Sequence, residues 1–282
     1  MELSNPSVLK ELLARHGFSF SKGLGQNFLI DPSVCPRMAD ECGATKDDGV
    51  LEIGPGVGVL TKELASRAKK VVAVELDTRL FPILKETLAE HKNVEIVHGD
   101  AMKLDLSSLL AERFADCERV FVCANLPYYI TSPVIMRFLE ERLPIAALTV
   151  MVQKEAAERL CASVGSREAG AVTVAVAYHA TPRVLFSVGR GSFLPSPNVD
   201  SAVIRLDIRE SEADADFEKR LFSAVRAGFN QRRKTLVNAL CAAGFQKEAV
   251  LASLEAASLP VSVRAEALTL SEWKDFVSHL AK

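Results

Sequence analysis

The chain has no excess of positive charge: 34 Lys and Arg stand against 36 Asp and Glu, a formal net charge of −2. That excludes a globally polycationic protein, so any surface for a polyanion has to be a local patch. No uncharged apolar run approaches the roughly 18 residues that a membrane span needs. The six cysteines (Cys35, Cys42, Cys117, Cys123, Cys161 and Cys241) include no C-x-x-C pair. Their spacing matches no zinc site, which leaves scattered free thiols in a reducing compartment and no metal. The stretch from Met1 to Gly17 has the pattern of an amphipathic helix and lacks the continuous apolar stretch of a signal peptide, so a cytoplasmic protein is expected. Internal repeats and long low-complexity tracts are missing too. What is there, 282 residues of which 49% are hydrophobic and 25% charged, suits a globular chain with one large core and a small second domain.

Periodicity predicts alternating strands and helices from about Gly49 onward. Strands are expected at Val50–Ile53, Val71–Glu75, Val94–His98, Arg119–Ala124, Ala146–Val152 and Ala171–Tyr178. Helices are expected at Thr61–Ala68, Arg79–His91 and Glu155–Ala162. This alternation implies crossover connections and a mostly parallel α/β sheet of the Rossmann-like kind. After Arg209 the acidic, polar stretch Glu210–Asp216 reads as a linker. Beyond it the pattern is all-helical, over Phe217–Phe229, Arg233–Ala243, Lys247–Ala256 and Ser271–Leu280. The expected division is therefore a sheet domain over 1–209 and a helical domain over 210–282.

The most informative local feature is Glu52-Ile53-Gly54-Pro55-Gly56-Val57-Gly58, a strand running into a glycine-rich turn and then a helix. Glycines let the backbone approach a ligand closely, and the helix start offers unpaired N–H groups. Glu75 ends the next strand, 21 residues after Gly54, where a carboxylate can accept hydrogen bonds from both hydroxyls of a ribose. Asp100 ends the third strand and can take an adenine amine; a turn cap would look the same. Two ligands fit this much, a dinucleotide and S-adenosylmethionine. The dinucleotide pattern requires a third glycine where Val59 stands, and Glu52 would sit badly beside a pyrophosphate. A carboxylate suits instead a cofactor carrying an ammonium and a sulfonium, which favours S-adenosylmethionine.

Asn125-Leu126-Pro127-Tyr128 follows the fourth strand and so lies over the same sheet edge. An exocyclic adenine amine is a poor nucleophile because its lone pair is delocalised into the ring. Two acceptors that each take one N–H stabilise the charge developing on nitrogen, and the Asn125 side-chain oxygen and a backbone carbonyl, that of Leu126, can supply them. Pro127 fixes the local backbone, and Tyr128 offers a ring for stacking on the base.

With these residues in place the sequence resembles the bacterial small-subunit ribosomal RNA adenine dimethyltransferases. The resemblance is carried by Lys22–Leu29, Leu51–Gly58, Val74-Glu75, Gly99-Asp100, Asn125–Tyr128, Gln153–Glu155 with Ala157–Arg159, Phe193–Ser201 and Phe229–Leu240, in that order. It implies that Asn27, Leu29, Gly54, Glu75, Asp100 and Asn125 form the S-adenosylmethionine site. It also implies that Asn125, Leu126, Pro127, Tyr128 and Phe193 act on the target base. The reaction it implies is transfer of two methyl groups to N6 of each of two adjacent adenines near the 3′ end of 16S RNA, within an assembling small subunit. The protein would be a monomer with no membrane partner.

Arg226, Arg232, Arg233 and Lys234 fall within nine residues that contain no acid, and they are the expected contacts to RNA phosphates, opening the central helices of the helical domain. A charge run of this kind is otherwise a solvated helix face. Relatives often carry a basic residue at the position of Val237, so a weaker patch is expected there. The alternative within the same chemistry is a large-subunit ribosomal RNA adenine methyltransferase that confers antibiotic resistance. Readings from other classes are a nicotinamide-dependent oxidoreductase, opposed by Val59 and the Asn125–Tyr128 turn, and a non-catalytic assembly factor.

Overall fold

A computed structural model describes residues 1–280 except 22, 24 and 210–213. Lys22 and Leu24 of the Lys22–Leu29 block, and the first four residues of the expected linker, therefore lie outside the described residues. The chain divides into two compact units, Met1–Ala157 with Pro182–Ile208, and Glu158–Thr181 with Arg209–Lys282.

In the first unit α1 (Pro6–Arg15) starts where Asn5 accepts hydrogen bonds from the Ser7 and Val8 amides, with Pro6 in the first turn. Its apolar face, Leu9, Leu12 and Leu13, packs with Phe28, Val57, Ile83 and Leu84. The elements that follow are β1 (Phe28–Leu29), α2 (Val34–Cys42), β2 (Gly49–Ile53), α3 (Val59–Arg67), β3 (Lys70–Glu75), α4 (Phe81–Thr87), β4 (Val94–His98), α5 (Leu106–Arg113), β5 (Val120–Asn125), α6 (Thr131–Glu140), β6 (Ala147–Gln153) and α7 (Lys154–Leu160). After α8 (Ala171–His179) come β7 (Ala180–Val188), β8 (Phe193–Leu194) and β9 (Ser201–Ile208).

Seven strands form one sheet in the order β4-β3-β2-β5-β6-β9-β7. The first five are parallel, and β9 runs antiparallel to β6, with Ala147 opposite Asp207 and Gln153 opposite Ser201. Helices α2 and α3 cover one face of β2: Met38, Ala39 and Cys42 meet Leu60, Leu64, Val50 and Cys123 in a fully buried cluster. Consecutive parallel strands step outward in opposite directions from β2 and β5. The crevice between their carboxyl ends is thus a topological switch point, where such sheets bind ligands.

The second unit contains α8, α9 (Ala215–Asn230), α10 (Leu236–Ala242), α11 (Lys247–Ala256) and α12 (Leu270–His279). Trp273 and Phe276 of α12 are fully buried, as are Leu236, Leu240, Val250 and Leu254. Two expectations are corrected here. Ala171–Tyr178 is a helix, not a strand, and Glu158–Thr181 groups with the helical unit, not with residues 1–157. The physical reason is burial: Thr173–Val176, Tyr178 and His179 are buried, and the rings of Tyr178 and His179 pack against Phe222 of α9 at 5.3 Å. A short apolar run buried on most sides does not reveal its period.

Candidate active site

The glycine turn after β2 takes the conformation that its residues allow. Gly54, Gly56 and Gly58 all have positive φ, at 71°, 60° and 89°. At Gly54 a side chain would meet nothing within 4 Å, so the backbone faces open cavity. That is where a ligand can lie against the peptide. α3 begins at Val59, directly after the turn, so its first amides are available beside the same space.

All ten residues expected to bind cofactor or target base (Asn27, Leu29, Gly54, Glu75, Asp100, Asn125, Leu126, Pro127, Tyr128 and Phe193) line this one cavity. Glu52 lies in its floor, 1% exposed, and its Oε2 has no hydrogen-bond partner. Burial pushes this carboxyl up to about 8, and the neighbouring Glu75 adds to the rise. Thr61 beside it pulls the pKa the other way, by less than burial raises it. An orphaned, buried acceptor inside a cavity fits a cationic group, and S-adenosylmethionine carries an ammonium and a sulfonium. The donor set of this chain therefore fits that cofactor. Glu75 is also buried, and burial raises its pKa, while the Asp77 amide, which donates to Oε1 at 2.8 Å, pulls it back. Asp100 reaches the cavity but also caps its own turn, accepting the Met102 amide at 2.9 Å.

The turn after β5 presents two acceptors. Asn125, which lines the cavity, donates from Nδ2 to the Asn27 carbonyl at 3.3 Å, and its Oδ1 has no partner among the described residues. The Pro127 carbonyl is already engaged by the Ile130 amide at 3.1 Å and by Thr131 Oγ1 at 3.3 Å. The Leu126 carbonyl accepts no hydrogen bond from the described residues, so it is the free backbone acceptor in the turn. Tyr128 is half-buried, and its hydroxyl pairs with Ser201 Oγ at 2.7 Å; burial raises the phenol's pKa, and Ser201 opposes this. Phe193 is 3% exposed and belongs to β8, which pairs with β1 so that Phe193 faces Leu29 in the register. It is a wall of the cavity and part of the core, not a freely presented ring.

Several supporting residues escape a reading of the sequence alone. Gln26 Nε2 donates to Asp77 Oδ2 at 2.8 Å, tying the segment before β1 to the end of β3. Arg79 grips both oxygens of the same carboxylate, at 2.8 and 2.6 Å, and with Gln26 holds it below the usual range. Arg137 of α6 donates to the carbonyls of Ala101 and Leu104, each at 2.6 Å, and fixes the loop that carries Asp100. Gln26 and Asp77 lie 51 residues apart, and Arg137 lies 36 and 33 from Ala101 and Leu104, so no spacing rule connects those partners. Tyr129, next to the turn, lines the cavity as well.

The basic residues sit in the second unit. Arg226 is exposed on α9. Arg232, Arg233 and Lys234 are exposed but precede α10 and do not lie on it, because Thr235 caps that helix and accepts the Asn238 amide. Arg232 Nη2 also donates to the Arg167 carbonyl at 2.7 Å. Val237, where a basic residue would have strengthened the patch, is buried at 5% exposure. No helix among the described residues is long and apolar enough to cross a membrane.

Comparison with known proteins agrees with this geometry. Residues 17–282 match the family model described as ribosomal RNA adenine dimethylase. A protein of Geobacillus thermodenitrificans (strain NG80-2) named ribosomal RNA small subunit methyltransferase A is 48% identical over 277 residues, covering 96% of this chain and 94% of that protein. Among solved structures, a dimethyladenosine transferase from Plasmodium falciparum aligns with a TM-score of 0.74 and 27% identity, over 88% of this chain and 95% of the other. The 23S rRNA methyltransferase ErmE aligns with a TM-score of 0.69 and 29% identity, over 91% of this chain and all of the other.

Proposed function

Since this chain belongs to the ribosomal RNA adenine dimethylase family, we propose that it transfers methyl groups from S-adenosylmethionine to N6 of two adjacent adenines in the 3′-terminal hairpin loop of 16S RNA, giving N6,N6-dimethyladenosine during small-subunit assembly. One observation supports the chemistry above the others. Among the described residues Asn125 Oδ1 and the Leu126 carbonyl are two unpartnered acceptors on one turn that lines the cavity, the kind of pair that an exocyclic amine with two N–H groups requires. The 48% identity to a small-subunit enzyme, against 29% to ErmE, favours the small-subunit target over the large-subunit one.

Glu75 would take the ribose hydroxyls, Asp100 the adenine amine, Glu52 the ammonium, and the Gly54 turn the close backbone approach, with Asn27 and Leu29 covering the site. The cofactor supplies an electrophilic methyl on a sulfonium. Asn125 and Leu126 hold the target nitrogen in line and accept its N–H bonds as positive charge builds on it; Tyr128 and Phe193 hold the ring. As the new C–N bond forms the methyl–sulfur bond breaks, its electron pair staying on sulfur as the neutral thioether; the alkylated nitrogen becomes acidic and loses its proton to water, so no strong general base is needed. Proximity and fixed acceptors carry the rate. Arg226, Arg232, Arg233 and Lys234 would bind RNA phosphates, and the protein would act as a monomer in the cytoplasm on a small-subunit precursor.

The test is incubation with labelled cofactor and undermethylated small subunits, with naked RNA and large subunits in parallel, followed by mapping of the modified nucleoside. Label in N6,N6-dimethyladenosine of small-subunit RNA is expected. Label confined to large subunits would refute the assignment.

A further inference from the structure

Two aromatic side chains among the described residues are strongly exposed, Phe20 at 39% and Tyr129 at 56%. Phe20 has a structural explanation: its ring packs against Phe18 and Phe28, at 6.1 and 5.5 Å between centroids. Tyr129 has none. Among the described residues its ring makes no aromatic or cation–π contact and its hydroxyl no hydrogen bond, although it lines the cavity. Its ring lies beside Gly25, which has φ +59°: a Cβ there would lie 3.4 Å from Tyr129 Cδ1 and 3.6 Å from Cε1, ordinary contact distances.

Its neighbour behaves differently. Tyr128 and Tyr129 occupy one turn of 3-10 helix, Tyr128–Ile130, in which successive side chains diverge by about 120°. Tyr128 is tethered to Ser201, and Tyr129, beside Gly25, has no such tether among the described residues. The cavity mouth thus has one fixed ring and one free ring. An adenine delivered to the Asn125 acceptors has to leave its stack, and this exposes a face of the neighbouring base at that mouth. Stacking of a base on an aromatic ring tolerates any sequence and recovers much of what unstacking costs.

We propose that Tyr129 is the platform on which the nucleobase next to the target adenine stacks while the target occupies the cavity. The inference rests on the reading of the Asn125–Tyr128 turn as the amine site. Its ligand is the π-face of an unpaired RNA base, so the ring matters and the hydroxyl does not.

The test measures KM and kcat on undermethylated small subunits, and cofactor affinity by calorimetry, for wild type and for Tyr129→Ala, Tyr129→Phe and Tyr129→Trp. Tyr129→Ala should raise KM about tenfold, with the loss in KM and not in kcat, while Phe and Trp restore it. The proposal is overturned by an unchanged KM in Tyr129→Ala, by a Phe variant as impaired as Ala, or by an equal loss of cofactor affinity, which would make Tyr129 part of the cofactor wall. A wild-type protein that does not methylate small subunits removes both this inference and the reading beneath it. An active wild type with an indifferent Tyr129→Ala removes the platform alone.

Discussion

Replacing Glu52 with Gln isolates the one carboxylate in the cavity whose ionisation folding opposes most. Burial raises it from 4.5 to about 8. A raised pKa in the folded state means that the folded protein holds the proton more tightly than the unfolded chain. The associated stability is full below pH 4.5 and is lost as pH rises toward 8. The difference corresponds to at most about 5 kcal/mol, at roughly 1.4 kcal/mol per pH unit, and water entry around the charge reduces it. Of the groups facing Glu52, Thr61 favours ionisation but by less than burial opposes it; Glu75 is a second acid, and Cys35 and Cys123 are buried thiols that burial and nearby groups, Glu52 among them, keep protonated. Without ligand and at pH 7, about 0.9 of Glu52 is therefore protonated. A cationic cofactor reverses the preference, so binding should release close to one proton at pH 7 and about half a proton at pH 8. Titration calorimetry in buffers of different ionisation enthalpy reads that number directly. Glu52→Gln should abolish it and flatten the nearly tenfold tightening of Kd expected between pH 6 and 7. The cofactor's own amine titrates against both proteins and cancels in the comparison. Equal proton release by the Gln variant and wild type would refute the placement of the cation at Glu52.

Asn125→Ala should lower kcat by about 10²- to 10³-fold, the usual loss for one fixed polar group at a developing charge; normal turnover would end the two-acceptor account. Glu75→Ala should act mainly through cofactor Kd, measured by calorimetry. Neutralising Arg232, Arg233 and Lys234 together should flatten the salt dependence of RNA binding. The log–log slope should fall by about 0.7 for each phosphate of single-stranded RNA that is no longer neutralised, and an unchanged slope would make the patch a solvated turn. Gly49→Ala would place a Cβ 2.2 Å from Phe114 Cδ1 at the start of β2. It should cost about 1–3 kcal/mol in thermal or denaturant unfolding, and trimming Phe114 to Leu in the same chain should recover part of that loss.

The candidate site was legible in the sequence because a parallel sheet assembles it. Once β2, β3, β4 and β5 are parallel neighbours, the residues that end them or follow them (Gly54, Glu75, Asp100, Asn125) are brought to one edge with no further information. What stayed hidden depends on the tertiary structure. Gln26 and Asp77 are 51 residues apart and Tyr128 and Ser201 are 73 apart, and neither pair has a local signature. The helix and strand boundaries also follow from which face is buried. Arg232–Lys234 were expected to open a helix, but the Thr235 cap leaves them in a turn, where three cations can fan out without the geometry of one helical face.

The misread element shows why pattern alone stops short. In Ala171–Tyr178, valines at 172, 174 and 176 alternate with Ala and Thr, the period of a half-buried strand. A helix buried on most sides needs no polar stripe, so its apolar residues can fall at any spacing, and here Thr173 through Val176 are all buried. Local chemistry tips the balance: the Thr173 hydroxyl accepts the Gly170 amide at 2.9 Å and donates to the Arg159 carbonyl at 2.7 Å. A threonine three residues after a glycine thus satisfies a donor at the helix start and the end of a preceding helix at once. Val174 and Val176 are then free to fill the core of the helical unit, where β-branched side chains lose little rotamer freedom that burial would not already remove.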